Sequence, residues 1–339
     1  MPRSKVLVTR RLPPSAMTTL GERFELIPHE GIAEANKTLH PESRWRDGPA
    51  MPRSRLLELV ADADGLLCLL TDRIDAELLA AAPRLRVVAN YAVGFNNVDV
   101  SATRSRRIAV TNTPGVLTES TADFAWALLM ATARRVGEGD RLIRTGRWDG
   151  WKPLELLGTD VSGTTLGIIG LGRIGQAMAR RAAGFDMRIV GWSRTRREDR
   201  DLNVPIEQMD LDDVCRKSDY LSIHTAYSNE THHLIDDRRL DLMKPNAILI
   251  NTARGACIDE AALVEAIKHG NIASAGLDVY EREPEVHPGL RDHPQVVLAP
   301  HLGSATRGTR NRMAEIAIEN LTAVLSGQPP LHPVPGSID

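Results

Sequence analysis

The 339-residue sequence predicts an α/β fold: two doubly wound domains with a cleft between them. Three observations predict it. Short runs rich in Val, Leu and Ile alternate with helix-like runs over nearly the whole length. One such run passes through a glycine-rich turn straight into a helix. Polar and charged residues recur just beyond the ends of the apolar runs, which is where open α/β sheets bind ligands. The composition agrees, with 42% hydrophobic and 25% charged residues, close to the average of soluble globular chains. A net charge of −2 gives no electrostatic footprint for nucleic acid or an anionic membrane, so neither is an expected partner.

The elements follow in order. KVLVT (Lys5–Thr9) reads as a strand, Pro13-Pro14 opens a helical stretch, and ELIPH is a second extended run. GLLCLL (Gly65–Leu70), LRVVANYA (Leu85–Ala92) and IAVTN (Ile108–Asn112) continue the series, with IDAELLAAAP and a short helix between them. Such short apolar runs, bounded by Gly or Pro, suit strands buried on both faces, hence a parallel sheet with helical crossovers. Ile32–Pro52 breaks the rhythm. It is polar, carries Pro41, Pro49 and Pro52, and reads as an inserted surface loop. Asn112-Thr113-Pro114-Gly115 is a turn signal and the expected boundary, which puts 1–112 with 306–339 in one domain and 113–305 in the other.

A long helix is expected from Thr118 to Thr145, with Ala125, Leu128, Leu129 and Thr132 on one face and Gly146 as its stop. A second series then begins. TLGIIG, RIVGWS, YLSIHT, AILINT, ASAGLDV and VVLAP read as strands, with helices between them including one from Glu260, and a last helix covers Arg307–Leu325. No window approaches eighteen unbroken apolar residues, and the N-terminal stretch lacks the apolar core of a secretory signal. Cys68, Cys215 and Cys257 cannot build a disulfide framework and lack metal-ligand spacing, so no metal is expected and a reducing cytoplasm is the default location.

The sharpest local signal is Gly170-Leu171-Gly172-Arg173-Ile174-Gly175, placed between an apolar strand and a helix. That context fits a dinucleotide pyrophosphate. The first glycine makes the tight turn, the second admits the phosphates, the third lets helix and strand pack closely, and the helix N-terminus faces the anion. An NAD-binding chain would place Asp or Glu at the end of the next strand. Here Ser193, Arg194 and Thr195 stand there. Ser193 removes the carboxylate that would repel a 2′-phosphate, and Arg194 can pair with that phosphate, so NADP(H) is the expected cofactor with NAD(H) possible.

An Arg, a carboxylate and a His also fall at strand ends: Arg254 after AILIN, Asp278, Glu281 and Glu283 after ASAGL, and His301 after VVLAP. With these residues the chain resembles the D-isomer-specific 2-hydroxyacid dehydrogenase family, most of all its glyoxylate/hydroxypyruvate reductase branch. The stretches that carry the resemblance are NYAVGFNNVDV, TNTPGVLTESTADFAWALLMATARR, GIIGLGRIGQAMARR, WSRTRR, INTARGACID, AGLDVYEREP and APHLGSAT. They run in family order over almost the whole chain.

The resemblance implies a flavodoxin-like substrate domain, a Rossmann dinucleotide domain, and reduction of a small 2-oxo acid to a D-2-hydroxy acid. It implies Arg254, Glu283 and His301 as catalytic residues, with Glu283 and not Glu281 as the acid. The chemistry of the residues agrees. An Arg fork can hold a carboxylate bidentately, a His can deliver a proton to the carbonyl oxygen, and an acid on the far ring nitrogen fixes the tautomer and favours the imidazolium.

Cofactor contacts implied by the resemblance are Leu171–Ile174, Ser193–Thr195, Thr252, Ala253, Asp278 and Gly303. Substrate contacts are Val93 and Gly94 through backbone N–H groups and Leu69 and Leu70 as an apolar wall. For Trp151 in Trp148-x-x-Trp151-Lys-Pro the resemblance implies reach to a partner's substrate across a homodimer, with plain interface or loop packing as the alternative. The long helix from Thr118 resembles the family's dimerisation helix.

Asn96 replaces a frequent acid, and His224-Thr-Ala-Tyr227 replaces the more usual HxPL. The chain leaves no room for the regulatory domain of many phosphoglycerate dehydrogenases. Two other readings stay open: a dehydrogenase for another D-2-hydroxy acid, such as D-lactate or a bulkier acid, and a non-catalytic dinucleotide-sensing interaction protein.

Overall fold

The computed structural model describes residues 3–29, 50–198, 202 and 204–338. Most of the expected insertion Ile32–Pro52 lies outside them. The chain divides into two compact units, Met1–Leu117 with Thr306–Asp339, and Thr118–Ala305. The Asn112–Gly115 turn lies inside the first.

The first unit is a five-stranded parallel sheet of order β2-β1-β3-β4-β5. Its elements are β1 (Lys5–Val8), α1 (Pro14–Arg23), β2 (Glu25–Leu26), α2 (Arg53–Val60), β3 (Gly65–Cys68), α3 (Ala76–Ala81), β4 (Val87–Asn90), α4 (Val100–Ser105) and β5 (Ala109–Thr111). The C-terminal helix α12 (Arg307–Leu325) packs on β4 and α1. Strands β3, β4 and β5 are buried at every residue, as strands covered by helices on both faces must be. Asp75 and Asp99 cap α3 and α4 by accepting from the amides of Leu78 and Ala102.

The second unit holds α5 (Thr118–Ala133), α6 (Val136–Arg144), β6 (Thr165–Ile169), α7 (Arg173–Ala183), β7 (Arg188–Trp192), β8 (Glu207–Gln208) and α8 (Leu211–Lys217). It continues with β9 (Tyr220–Ile223), α9 (Asp237–Asp241), β10 (Ile248–Asn251), α10 (Glu260–His269), β11 (Ser274–Leu277), α11 (Pro288–Arg291) and β12 (Val297–Leu298). The seven strands are parallel in the order β12-β11-β10-β9-β6-β7-β8. Strand order reverses between β6 and β9, and such a switch point opens a ligand crevice at the C-terminal strand ends.

The expected single helix Thr118–Thr145 is two helices. Arg135 between α5 and α6 sits in the left-handed region at φ 54°. The physical reason is a competing partner: the Thr159 amide donates to the Ala133 carbonyl at 2.9 Å and ends the ladder of α5. Gly158 makes that approach possible, since a Cβ there would lie 2.3 Å from the same oxygen. Arg135 then grips Glu138 with two hydrogen bonds of 2.8 Å and fixes the start of α6. No helix among the described residues is long and apolar enough to cross a membrane, and no cluster of His, Cys, Asp or Glu among them could hold a metal.

Candidate active site

The turn after β6 is shaped by contact. Gly170 has φ 98°, and a Cβ on it would meet the His224 carbonyl carbon at 2.7 Å. A Cβ on Gly175 would lie 2.0 Å from the Gly170 oxygen, so helix α7 can press against the turn only with glycine there. Gly172 has open space before it, and no side chain caps α7. The first amides of the helix are therefore available to an anion, with no acid in the first turn to compete. His224 backs this turn. Its half-buried ring bonds to Ser222 Oγ at 2.8 Å, and loss of solvation pushes its pKa down to about 4, so it stays neutral.

At the end of β7 the Ser193 hydroxyl donates to the Thr195 carbonyl at 2.7 Å, which holds the loop in a tight bend. Arg194 extends into solvent and pairs with Glu230 at 3.0 Å.

Three of the expected site residues converge from the loops that follow β10, β11 and β12. His301 Nδ1 lies 3.0 Å from Glu283 Oε2, while Glu283 Oε1 accepts the Tyr280 amide at 3.1 Å. Burial opposes charge on Glu283, yet the His301 hydrogen bond and charge, the Tyr280 amide and Arg254 leave its pKa below the usual carboxylate value. Arg254 is half-buried, and loss of solvation lowers its pKa against the pull of Glu283. Its Nη1 also donates to the Ala253 carbonyl at 2.7 Å.

The turn that carries Arg254 is set by Asn251, which donates to the Arg254 carbonyl and accepts from the Ala253 amide, both at 2.9 Å. Gly255 lets that turn lie against the next loop, because a Cβ there would fall 1.8 Å from the Tyr280 carbonyl carbon. A cavity of about 310 Å³ adjoins the pair, bordered by Glu283, His301, Tyr280, Val286 and Leu298.

His301 stands in the left-handed region at φ 56°, a conformation that costs a non-glycine residue about 1 kcal/mol or more. Asp278 holds it there. Its carboxylate, 1% exposed, accepts the amides of Leu302 at 2.6 Å and Gly303 at 2.8 Å, and its backbone carbonyl accepts the His301 amide at 3.0 Å. Burial pushes the Asp278 pKa up to about 6 despite those two amides. Gly303 is fixed from the other side by the Ser120 hydroxyl on its carbonyl. Glu281 is engaged elsewhere, with its Oε1 2.7 Å from His233 Nε2 and its amide on Glu260.

The remaining expected residues belong to other segments of the chain. Leu69, Leu70, Val93 and Gly94 belong to the first unit, at the C-terminal ends of β3 and β4. Asn112 and Asn90 hold the carbonyls of Val93 and Gly94, each at 2.8 Å. Trp151 is 83% exposed, and Trp148, Leu154 and Leu157 near it are exposed too.

The sequence model of the NAD-binding domain of D-isomer-specific 2-hydroxyacid dehydrogenases matches residues 126–303. A glyoxylate reductase of Thermococcus litoralis is 49% identical over 308 residues, covering 90% of this chain and 93% of the relative. The chain belongs to the D-isomer-specific 2-hydroxyacid dehydrogenases. A crystal structure from Thermus thermophilus superposes on this dehydrogenase with a TM-score of 0.87 and 46% identity, over 97% of this chain and 99% of that one. An NADPH-dependent glyoxylate/hydroxypyruvate reductase of Sinorhizobium meliloti, solved with NADP and malonate, gives 0.83 and 35% over 99% and 98%.

The dehydrogenase is thus an NAD(P)-dependent oxidoreductase, and its residues fit such a cofactor. The uncapped start of α7 suits a pyrophosphate. At the end of β10 the Thr252 hydroxyl is buried with no hydrogen-bond partner, a donor left over beside Arg254 for a polar ligand group. Sequence reasoning passed over three supports: Asn251, the Tyr280 amide and Glu230. Only Asn251, a polar residue ending an apolar strand, left a signal in the sequence. None of the three cysteines offers a rival nucleophile. All are buried, and burial pushes Cys257 up to about 11.

Proposed function

We propose that this dehydrogenase reduces small 2-oxo acids, glyoxylate and hydroxypyruvate, to glycolate and D-glycerate, using NADPH in preference to NADH. The observation that carries the reading is the 3.0 Å His301–Glu283 hydrogen bond beside the half-buried Arg254 guanidinium. The reductase names of the relatives and the NADP in the Sinorhizobium structure support it.

When bound, the reduced nicotinamide supplies the hydride. Arg254 grips the substrate carboxylate with its fork and polarises the neighbouring carbonyl. His301 gives the carbonyl oxygen a proton from Nε2 as negative charge builds there. Glu283 accepts from Nδ1, which holds the ring in the tautomer that leaves Nε2 to serve the substrate and steadies the imidazolium. In oxidation the neutral ring takes the proton back. Leu171–Ile174 hold the pyrophosphate, Ser193–Thr195 the adenosine ribose and its phosphate, and Thr252, Ala253, Asp278 and Gly303 the nicotinamide end.

The first unit, 1–117 with 306–339, forms the substrate domain and the second, 118–305, the dinucleotide domain. In the former, the Val93 and Gly94 amides bind the carboxylate, and Leu69 and Leu70 limit bulk. The exposed apolar surface around Trp151 supports a homodimer in which that indole reaches the partner's substrate. The enzyme works in the cytoplasm.

Oxidation of NADPH and NADH with a panel of 2-oxo acids tests the reading. Glyoxylate and hydroxypyruvate should turn over fastest, and His301→Ala should cut turnover by about 10²–10⁴. A preference for bulkier acids would remove the substrate assignment. Tight dinucleotide binding with no turnover of any acid would point to a sensor.

A further inference from the structure

We infer that Glu230 sets the dinucleotide preference by standing in for the 2′-phosphate on Arg194. The inference deepens, and rests on, the reading of Arg194 as the phosphate's partner. Strand order puts β6 between β7 and β9. Arg194 follows β7, and Glu230 lies in the short 3₁₀ turn Asn229–Thr231 after β9. Their 3.0 Å pair therefore links one flank of the β6–α7 turn to the other, beside the ground where adenosine must lie.

Both loops are pinned by their own hydrogen bonds. Thr231 Oγ1 accepts the Ser228 amide at 2.7 Å and donates to the Ala226 carbonyl at 2.9 Å. On the other flank Gln208 bonds both the amide and the carbonyl of Arg197, at 2.9 and 2.8 Å. Opening the pair thus asks for movement of two side chains, 74% and 69% exposed, and not of backbone.

An exposed pair of this kind is weak and easily opened. A phosphate carries nearly two charges and can take the Arg fork bidentately, so it displaces the single carboxylate. An unphosphorylated ribose offers Arg194 nothing in exchange, so its binding leaves the pair closed and undisturbed. Glu230 also repels any phosphate seated on Arg194. The carboxylate missing at Ser193 is thus partly restored from the opposite flank, and Glu230 holds the preference for NADPH below what Arg194 alone would give.

The test is titration of the resting protein, without substrate, with 2′,5′-ADP and 5′-AMP by calorimetry and with NADPH and NADH by fluorescence. Glu230→Gln should tighten 2′,5′-ADP and NADPH by about two- to fivefold, the range of exposed ion pairs. It should leave the 5′-AMP and NADH constants within about 1.5-fold, and raised salt should shrink the gain. An unchanged 2′,5′-ADP constant, or an equal gain for 5′-AMP, would overturn the inference. Arg194→Ala separates the two layers. If it weakens 2′,5′-ADP and 5′-AMP alike, the phosphate reading of Arg194 fails. If it weakens only 2′,5′-ADP while Glu230→Gln changes nothing, only the role of Glu230 fails. Both side chains are exposed, so neither change disturbs a packed core.

Discussion

Replacing Glu283 by Gln should disable proton transfer while sparing substrate affinity. The Glu283 carboxylate serves two donors, the Tyr280 amide on Oε1 and His301 Nδ1 on Oε2. Glutamine has one acceptor oxygen and one NH₂ group. The Tyr280 amide is a fixed donor and claims the oxygen, so the NH₂ turns toward Nδ1. That nitrogen must then accept, the ring proton moves to Nε2, and an imidazolium would set two donors against each other.

The lost charge adds to this. Opposite charges about 4 Å apart attract by about 4 kcal/mol at an effective dielectric of about 20. With side-chain exposures of 26% and 29%, solvent trims that toward about 2–3 kcal/mol, or roughly 30- to 150-fold. The assay is kcat and KM for glyoxylate reduction across the neutral pH range. The expected result is kcat down about 10²-fold with KM held within about threefold by Arg254. A KM that rises as far as kcat falls, or a kcat within about threefold of the wild type, would mark Glu283 as structural and refute the reasoning.

Three further predictions follow from the same site. Arg254→Lys replaces a half-buried fork by a point charge, so KM should rise and kcat fall together, lowering kcat/KM by about 10²-fold or more; a change under about fivefold would reject the fork. Gly255→Ala must push the Arg254 turn off the Tyr280 backbone, and urea unfolding should show about 3 kcal/mol or more of lost stability, where a loss below about 1 kcal/mol would show that the contact yields. The third concerns Asp278. Its pKa is raised to about 6 in the folded state, so its favourable contribution is complete below about pH 4 and is lost as pH rises through about 6. Asp278→Asn should therefore gain roughly 2–3 kcal/mol on the wild type between pH 4 and pH 7, and a pH-independent difference in unfolding free energy would contradict that shift.

Much of the architecture could be read from residue order because parallel strands advertise themselves. GLLC, VVAN, YLSI and ILIN are apolar on alternate and intervening positions alike, and all four are buried throughout. The last helix could be bounded at Arg307 and Leu325 because Thr306 caps it and Gly327 follows it. The break at Arg135 left no such trace. It depends on Thr159, a residue far along the chain, reaching the Ala133 carbonyl. Strand β8 and helices α9 and α11 have two to five residues, too few to show a period. The ion pair on Arg194 was hidden for a different reason. Glu230 is one exposed acid among many, and only the placement of β6 between β7 and β9 brings the two loops within reach.

The helix α12 carries a consequence for biosynthesis. Its residues Met313, Ala314, Ala317, Ile318 and Leu321 complete the layer that also contains Val87, Ala89 and Leu20. Ribosomes deliver these residues only after all of 118–305, so the interrupted unit waits with an uncovered face of its sheet while the intervening one can already close around its own strands. Loss of a single large side chain such as Leu321, which is fully buried, would cost about 2–5 kcal/mol in the finished molecule. During translation such a change would also lengthen the interval in which an unfinished sheet is exposed to chaperones and to other nascent chains.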